Sequence, residues 1–281
     1  MLLLVVVIAI PMAWKVNRAR NQRIVVAELE KLNAEIYYDY QSVPTARGRA
    51  ILQPPGPNWL IDLFGKEYFV EVVKVAVDNP HVNSETIALI SRLPEITEVD
   101  FGSNTRITDS GLANLVGMDN LKRVCLDSDR ITGAGLIHLN GLKRFSELWA
   151  SGWITDASLE HISKLERLEV LNIAEAAQIT DRGLAQIAKL TNLRYLVIDS
   201  SSWEDYGKRD YMKVTEEGLA HLYGLKSLET LSISGIRGTQ AGIDKLRKAL
   251  PHCGDVRWNV KGEYDADAID GDDVSAHLPE D

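Results

Sequence analysis

Three histidines at equivalent positions are the first candidates for chemistry in this sequence. His138, His161 and His221 lie in the motifs GLIHL, SLEHI and GLAHL. Imidazole nitrogens hold zinc only when several of them converge on one ion at about 2.1 Å. Gln186 occupies the same position between His161 and His221 and interrupts the row. We therefore expect these histidines to lie on solvated helix faces, and we expect no metal site.

The two cysteines do not suggest redox or nucleophilic chemistry. Cys125 and Cys253 have no CxxC partner and fall on different repeats of the pattern described below. At about 4.8 Å per strand, several intervening repeats place them much farther apart than the about 7 Å between Cα atoms that a disulfide tolerates. Both are predicted to be free thiols.

The C-terminal segment, residues 262–281, is rich in Asp and Glu. An EF-hand loop needs oxygen ligands at its first, third and fifth positions and glycine at its sixth. Counted from Asp265, the fifth position is Ile269 and Gly271 comes one residue late. A disordered acidic tail is the expectation, with weak cation binding as the alternative.

Other catalytic signatures are missing from the sequence. It has no glycine-rich phosphate loop, no metalloprotease helix motif and no evident Ser/His/Asp grouping. We therefore expect a protein that is not an enzyme, needs no cofactor and has no small-molecule substrate. The formal charge of −9 also argues against nucleic-acid binding, which requires clustered lysine and arginine.

A periodic pattern fills most of the chain. In Ile179 to Asp199, ITDRGLAQIAKLTNLRYLVID, apolar residues recur every three positions and then alternate, which predicts a helix followed by a strand. Thr180 and Asp181 carry side-chain oxygens that can cap the helix start. Related stretches begin near Asn83, Thr108, Thr132, Thr155, Thr180, Thr215 and Thr239. A unit this short must stack on its copies to bury its apolar stripe.

The repeated pattern, I-T-D-x-G-L followed by regularly spaced leucines, resembles the leucine-rich repeat in the short-helix variant of F-box-type and many bacterial proteins. The resemblance covers about residues 82–258. It implies an α/β leucine-rich repeat solenoid, a horseshoe with a parallel concave sheet and short convex helices. The stretch from Gly238 to Cys253 keeps the helix pattern and loses the leucine strand, as a terminal cap would.

The N-terminus suggests a membrane segment. MLLLVVVIAIPMAW is followed by Lys15, Arg18, Arg20 and Arg23. The apolar run is shorter than the about 20 residues that cross a bilayer, and it lacks the basic start of a secretory signal. We expect a single-pass signal-anchor or transmembrane helix, with a cleaved signal peptide or a peripheral segment as alternatives. The basic flank favours the cytoplasmic face for the rest of the chain.

Four regions follow from these patterns. They are a membrane segment at 1–21, an N-terminal helix and α/β cap at 22–81, the repeat solenoid with its C-terminal cap at 82–258, and the acidic tail at 259–281. The apolar N-terminus, the YYDYQ motif and PGPNWLIDLFG together also resemble a set of membrane-anchored bacterial leucine-rich repeat proteins.

Residues that flank the last leucine of each strand should face away from the core and form a binding surface. Aromatic residues near the centre of a patch with a polar rim are typical of binding hot spots. The predicted protein-binding residues on this concave face are Arg123, Glu147, Trp149, Val170, Tyr195, Val197 and Asp199. The alternative is that Trp149 only shields a neighbouring strand.

One interval between repeats is longer than the others, and the extra residues form the stretch Ser200 to Lys213. Insertions in solenoids go to loops, often at the binding face. Trp203, Tyr206 and Tyr211 of this insertion loop are predicted to contact a partner; an insertion without function is the alternative.

The sequence therefore predicts a non-catalytic protein–protein interaction module, held at a membrane, that binds an unknown protein on its concave face. Two alternatives stay open. One is an adaptor that recruits a target to a modifying, ubiquitin-ligase-like enzyme, although no F-box-like module precedes the repeats. The other is a structural envelope protein.

Overall fold

A computed structural model describes residues 2–42, 54–103, 105–128, 130–152, 154–200, 213–236 and 240–260. The chain divides into two compact units, Met1–Trp153 (unit 1) and Ile154–Asp281 (unit 2). The predicted insertion-loop residues Trp203, Tyr206 and Tyr211 lie outside the described residues, as does the acidic tail after Val260.

Unit 1 begins with a long helix and continues as alternating strands and short helices. Its α-helices are α1 (Leu2–Glu30), α2 (Asn58–Phe64) and α3 (Ser84–Ile90). Its strands are β1 (Glu35–Tyr38), β2 (Val72–Val77), β3 (Glu98–Phe101), β4 (Arg123–Asp127) and β5 (Glu147–Ser151). Short 3₁₀ helices cover Asp39–Ser42, Lys66–Tyr68, Gly111–Leu115 and Ala134–Leu139.

Unit 2 continues the alternation. Its helices are α4 (Asp156–Ile162), α5 (Asp181–Ile187), α6 (Glu216–His221) and α7 (Gln240–Ala249), with a 3₁₀ turn at Leu222–Gly224. Its strands are β6 (Val170–Ala174), β7 (Tyr195–Ile198), β8 (Thr230–Ile236) and β9 (Asp255–Val260).

Neighbouring strands pair in chain order within each unit. In unit 1, β1 is antiparallel to β2, and β2 to β5 are parallel. In unit 2, β6 to β9 are parallel. Each parallel step is bridged by one short helix, because parallel strands need a crossover connection. The predicted fold class, an α/β leucine-rich repeat solenoid, is confirmed by this arrangement.

The leucines and isoleucines of the repeats form the core. Leu184, Ile187, Leu190, Leu193 and Leu196 are all 0% exposed. They belong to one repeat and come from its helix, its turn and its strand in succession. In each unit, the same positions of successive repeats stack on one another and fill the interior. Burial of this apolar surface contributes about 25 cal/mol per Å² and is the main contribution to the stability of the fold.

Several helices of the repeats start where the sequence predicts. The Thr180 hydroxyl accepts a hydrogen bond from the Arg182 N–H and caps α5. Asn83 and Thr155 cap α3 and α4 in the same way, and the backbone N–H of each donates in return to the hydroxyl of the residue three positions later. These bonds satisfy N–H groups that have no partner within the helix.

The aspartate of the I-T-D motif links successive repeats. Asp156 accepts hydrogen bonds from the Thr180 backbone N–H at 2.9 Å and from its hydroxyl at 2.6 Å. The same pairs of bonds join Asp109 to Thr132 and Asp181 to Thr215. We call each of these contacts an Asp–Thr bridge. They explain why threonine and aspartate recur together. The threonine of each repeat donates to the aspartate of the previous repeat, and its own aspartate accepts from the threonine of the next.

The glycine of the motif is required by the same contact. Asp109 also accepts a hydrogen bond from the Gly135 N–H at 2.9 Å. A Cβ atom on Gly135 would lie 2.3 Å from the Asp109 carbonyl oxygen, and one on Gly218 would lie 2.0 Å from the Asp181 carboxylate. The close approach of the previous repeat therefore leaves room only for hydrogen at this position.

The charge of Asp109 gives the Asp–Thr bridge a pH dependence. Burial alone raises the pKa of this carboxyl group, but hydrogen bonds from Gly135, Thr132 and Gly133 lower it below the ordinary value of 3.8. A depressed folded-state pKa adds stability above the unfolded-state pKa, and this stability is lost as the pH falls through the folded-state value.

We therefore expect Asp109→Asn to lower the free energy of unfolding by about 1 kcal/mol at pH 7. The deficit should shrink below about pH 4, where the aspartate itself becomes protonated. Urea unfolding followed by circular dichroism from pH 7 to pH 2.5 measures both quantities. Asp62→Asn, at an exposed position, is the matched control for the lost charge. A deficit that stays constant across this range would contradict the prediction.

The predicted single-pass anchor, with its signal-anchor, transmembrane and cytoplasmic-face assignments, is wrong. Among the helices that the structure describes, none combines the length and the apolar character needed to span a bilayer. Helix α1 is long, but its apolar run gives way to Lys15, Arg18, Arg20 and Arg23. Its second half is amphipathic and buries Ala19, Val25, Val26 and Leu29.

Gln22 shows how the second half of α1 is attached to unit 1. This side chain is 2% exposed. Its amide donates to the Val70 carbonyl at 2.8 Å and accepts from the Val72 N–H at 3.3 Å. The glutamine thus satisfies backbone groups at the start of β2 that would otherwise be buried without a partner.

The C-terminal cap differs from the sequence expectation in one respect. The leucines of the repeat strand are absent after α7, but the strand itself is present as β9, paired in parallel with β8. The segment DVRWNV lacks leucine, but its polar and apolar residues alternate. This alternation is sufficient to predict a strand.

Candidate functional site

Side chains on the strands alternate between the core and the opposite face of the sheet. In β4, Val124 and Leu126 are buried, whereas Arg123, Cys125 and Asp127 are only partly buried. We call the second side the open sheet face and describe it separately for each unit. Six of the seven predicted concave-face residues lie on this side of their strands, and Asp199 directly follows β7; Glu147 and Val170 are themselves buried.

A row of alternating charges crosses the open sheet face of unit 1. The strand register places Lys74, Glu98, Arg123 and Glu147 side by side on β2 to β5. Lys74 Nζ lies 3.5 Å from Glu98, and Arg123 Nη1 lies 3.3 Å from the same carboxylate. Arg123 Nε donates to Glu147 at 2.5 Å. We call these four residues the charged row.

Arg123 is the centre of the charged row. Burial by itself lowers its pKa, but the neighbouring Glu98 and Glu147 carboxylates raise it above its ordinary value. Glu147 is 5% exposed and is also approached by Lys122 Nζ at 3.4 Å. A nearly buried carboxylate requires such partners, because an unpaired buried charge is strongly destabilising.

One member of the charged row, Arg123, contacts Trp149. The Arg123 guanidinium lies over the indole ring at 5.5 Å from its centroid, which is a cation–π contact. Trp149 is partly buried, and its indole N–H is enclosed without an acceptor among the described residues. The structure thus brings Arg123, Glu147 and Trp149 of the predicted site into one cluster.

Next to the charged row lies a more acidic part of the open sheet face. Asp100, Cys125 and Trp149 are adjacent on β3, β4 and β5, and Asp127 is adjacent to Ser151. Burial, followed by the charge of Asp100, raises the pKa of the Cys125 thiol to about 12. A thiol with this pKa stays protonated at neutral pH and is a poor nucleophile.

Asp100 and Asp127 are functional candidates that the predicted site left out. The sequence already places both on the sheet face, since each follows a strand leucine or its equivalent by the same offset as the predicted residues. Their recurrence on adjacent strands was the available signal. A prediction that favours large aromatic residues, as hot-spot composition does, omits these two aspartates.

The open sheet face of unit 2 has a different character. Val170, Tyr195 and Thr230 form one row, and Asn172, Val197 and Ser232 lie in the next. The Tyr195 hydroxyl donates to Glu229 at 3.0 Å, and Arg194 Nε donates to the same carboxylate at 2.8 Å. Asp199 accepts a hydrogen bond from the Ser234 hydroxyl. This face is mostly neutral, with Val170 buried and Val197 partly exposed.

The three histidines lie on the helical side of the repeats. His138 is in the 3₁₀ segment Ala134–Leu139, His161 in α4 and His221 in α6. Within the ranges that the structure describes, no group of three or more His, Cys, Asp or Glu side chains is arranged to hold a metal ion.

Comparison with known proteins gives distant structural likenesses. No protein-family model matches the chain, and no curated protein matches its sequence. Internalin C2 of Listeria monocytogenes is similar over 79% of this chain and 83% of its own, with 17% identity and a TM-score of 0.44. An internalin (inlF) of the same organism matches 63% of this chain and 51% of its own, with 18% identity and a TM-score of 0.39.

A third similar structure is the complex of Rad7 and Elc1 from yeast. The similarity covers 66% of this chain and 70% of the matched chain, with 16% identity and a TM-score of 0.31. The assignment of the chain to the leucine-rich repeat fold is based on its own repeats, their parallel strands and their buried leucines.

Proposed function

We propose that the chain is a non-catalytic protein-interaction module that binds its partner on the open sheet face. The observation that carries the proposal is the cluster of Trp149, Arg123 and Glu147 in unit 1. The tryptophan is partly exposed on a regular strand, and its position is fixed by an arginine that two carboxylates hold. Tryptophan and arginine are the residues that most often dominate binding energy at interfaces.

The support for this proposal is physical. A side chain that is ordered before the partner arrives loses little conformational entropy on binding, and such ordering costs about 0.5–1.5 kcal/mol per side chain when it is not already present. The charged row orders Arg123, and Arg123 orders Trp149. The polar residues around them would form the rim that interface hot spots share.

The other predicted residues belong to separate proposed contact areas. On unit 2, we retain Val170, Tyr195, Val197 and Asp199 as proposed contacts, of which Val197 and Tyr195 are the more exposed. Trp203, Tyr206 and Tyr211 of the insertion loop remain predicted contacts. A module of this kind needs no cofactor, and the high pKa of Cys125 favours binding over nucleophilic chemistry at this face.

A capture experiment tests the proposed function. The full chain is crosslinked in native extract, and the captured proteins are compared between the parent and Trp149→Ala. We expect the variant to capture one protein in an amount at least tenfold lower than the parent does, since truncation of a hot-spot residue costs about 2 kcal/mol or more of binding free energy. Ile137→Ala is the matched control, because Ile137 is an apolar residue that is 62% exposed on the helical side of unit 1.

The two variants must first be shown to melt within a few degrees of the parent. Equal capture by the parent, Trp149→Ala and Ile137→Ala would overturn the proposal for this face. Loss in both variants would mean that the captured protein recognises apolar surface in general.

A further inference from the structure

The charges on the open sheet face of unit 1 do not balance. Lys74 and Arg123 are engaged by Glu98 and Glu147 within the charged row. Beyond the row, Asp100 and Asp127 add two carboxylates, and Asp78 lies close enough to act on both. Lys122 also pairs with Glu147, but Asp100, Asp127 and Asp78 still leave an excess of carboxylates around the row.

The strand register fixes the spacing of the two added carboxylates. Asp100 lies opposite Cys125, and Asp127 is two residues farther along β4. With strands about 4.8 Å apart and about 3.3 Å per residue, their Cα atoms are about 8 Å apart. Cys125, a short side chain, lies between Asp100 and Trp149 on neighbouring strands. Two carboxylates and an aromatic ring thus surround one short residue.

The two carboxylates are in an unfavourable electrostatic environment. The pKa of Asp100 is raised by burial first, and then by the charges of Asp78 and Glu98, against the lowering effect of Lys74. Burial and then Asp78 raise the pKa of Asp127, while a hydrogen bond from Ser151 lowers it. Both carboxylates would therefore gain from an additional positive charge.

We propose that the partner docks on the open sheet face of unit 1 through a lysine or arginine side chain placed between Asp100 and Asp127, with its aliphatic stem against Trp149. This inference rests on the proposed function and specifies the chemistry of the partner. The occupant is a protein with an exposed basic segment.

The arrangement favours a basic side chain over other occupants. The two carboxylates belong to different strands and, as noted above, are not grouped for a metal ion. A long, flexible stem can reach between them and can also cover aromatic surface, because lysine and arginine carry an apolar chain below the charge. An acidic partner would meet like charge from Asp78, Asp100, Glu98 and Asp127 together.

The open sheet face of unit 2 provides an internal comparison. Its rows contain Asn172, Val197, Thr230 and Ser232, which are neutral, and the register continues them with Asp255 and Arg257 of β9, whose charges are opposite. Its charged pair, Arg194 with Glu229, is satisfied by mutual contact. A basic segment should therefore discriminate between the two faces and bind unit 1.

The test uses the full chain and a defined probe, a fluorescently labelled Gly/Ser peptide with three arginines, beside the same peptide with three glutamates. Fluorescence anisotropy at about 50 mM salt should show binding of the arginine peptide only. In the double variant Asp100→Asn, Asp127→Asn we expect at least tenfold weaker binding, equivalent to about 1.4 kcal/mol.

Glu160→Gln, Glu166→Gln is the matched control, since it removes the same charge from exposed positions of unit 2. Unchanged binding by this control supports the inference. Equal weakening in both double variants would show unspecific attraction to an acidic protein and would overturn it, as would failure of the parent to bind the arginine peptide.

The protein captured in the Trp149 experiment separates this inference from the proposed function. If capture is lost in Trp149→Ala and kept in the Asp100/Asp127 variant, the proposed function stands and the basic-segment inference fails. If both variants capture normally, the proposed function fails for this face. Loss in both supports the two together.

Discussion

Replacing Gly135 with alanine should destabilise the protein by about 3 kcal/mol, the upper part of the range for overpacking a filled site. The added Cβ would lie 2.3 Å from the Asp109 carbonyl oxygen and 2.6 Å from its Cα, so backbone must move. Movement of Asp109 also disturbs its bridge to Thr132 and its bond to the Gly135 N–H. Urea unfolding followed by circular dichroism should show a midpoint lower by roughly 1 M or more.

Gly141→Ala is the control for this prediction. Gly141 lies in the same unit and is exposed, and a Cβ atom there meets nothing within 4 Å. Alanine at that position should leave stability unchanged within about 0.5 kcal/mol, as at ordinary surface positions. Similar urea midpoints for the two variants would show that the backbone around Asp109 can move away from residue 135 at little cost. The close approach of these residues would then not require glycine.

The second large effect is expected from Arg123→Met. This substitution keeps much of the apolar stem but removes the cation that bonds Glu147, which is 5% exposed. Lys122 at 3.4 Å would be the remaining cation near that carboxylate. Breaking one side of a buried ion pair typically costs about 3–5 kcal/mol, and because Arg123 is partly exposed we expect about 3 kcal/mol.

The double variant Arg123→Met, Glu147→Leu distinguishes the charge effect from lost packing. If the cost comes from an unpaired carboxylate, the second substitution should recover most of it, since apolar replacements of whole buried pairs are often neutral or stabilising. Thermal and urea unfolding of parent, single and double variants give the coupling free energy. A double variant as unstable as the single one would assign the loss to packing around Trp149.

Much of the fold is predictable because each repeat encodes it independently. The change from a spacing of three to alternation marks where helix gives way to strand, and Thr180 with Asp181 marks the start of α5. Stacking then follows from the burial of leucines that no single repeat can cover. The sequence also contains the reason for the glycine, but only the structure shows that Asp109 approaches Gly135 closely enough to require it.

The candidate site is less predictable because it depends on neighbours across strands. Periodicity indicates that Arg123, Glu147 and Trp149 share a face. It does not indicate that Glu147 is paired with Arg123 and Lys122, or that Arg123 lies over the indole ring. Those contacts depend on rotamers and on the register between β4 and β5, which are tertiary properties.

The error at the N-terminus has a related cause. In the sequence, an apolar run followed by basic residues predicts a membrane segment with a charged flank. In the structure, the helix continues beyond the run to Glu30, and its basic residues bind within unit 1: Arg18 bonds Glu71 and Glu95, and Arg23 bonds Glu67. Basic residues beside an apolar stretch can therefore be intramolecular ion-pair partners.

The Asp181–Thr215 bridge has a practical consequence for protein engineering. It joins residues 34 positions apart with the same two bonds that join Asp156 and Thr180 across 24 positions. The repeats on either side of the longer interval thus stack as the others do, whatever the number of residues between them. Each doubling of the number of residues between two stacked repeats costs only about 0.6 kcal/mol in closure entropy. Residues 201–212 are accordingly a natural position for grafting a foreign peptide or a reporter domain while the stacking of the repeats is preserved.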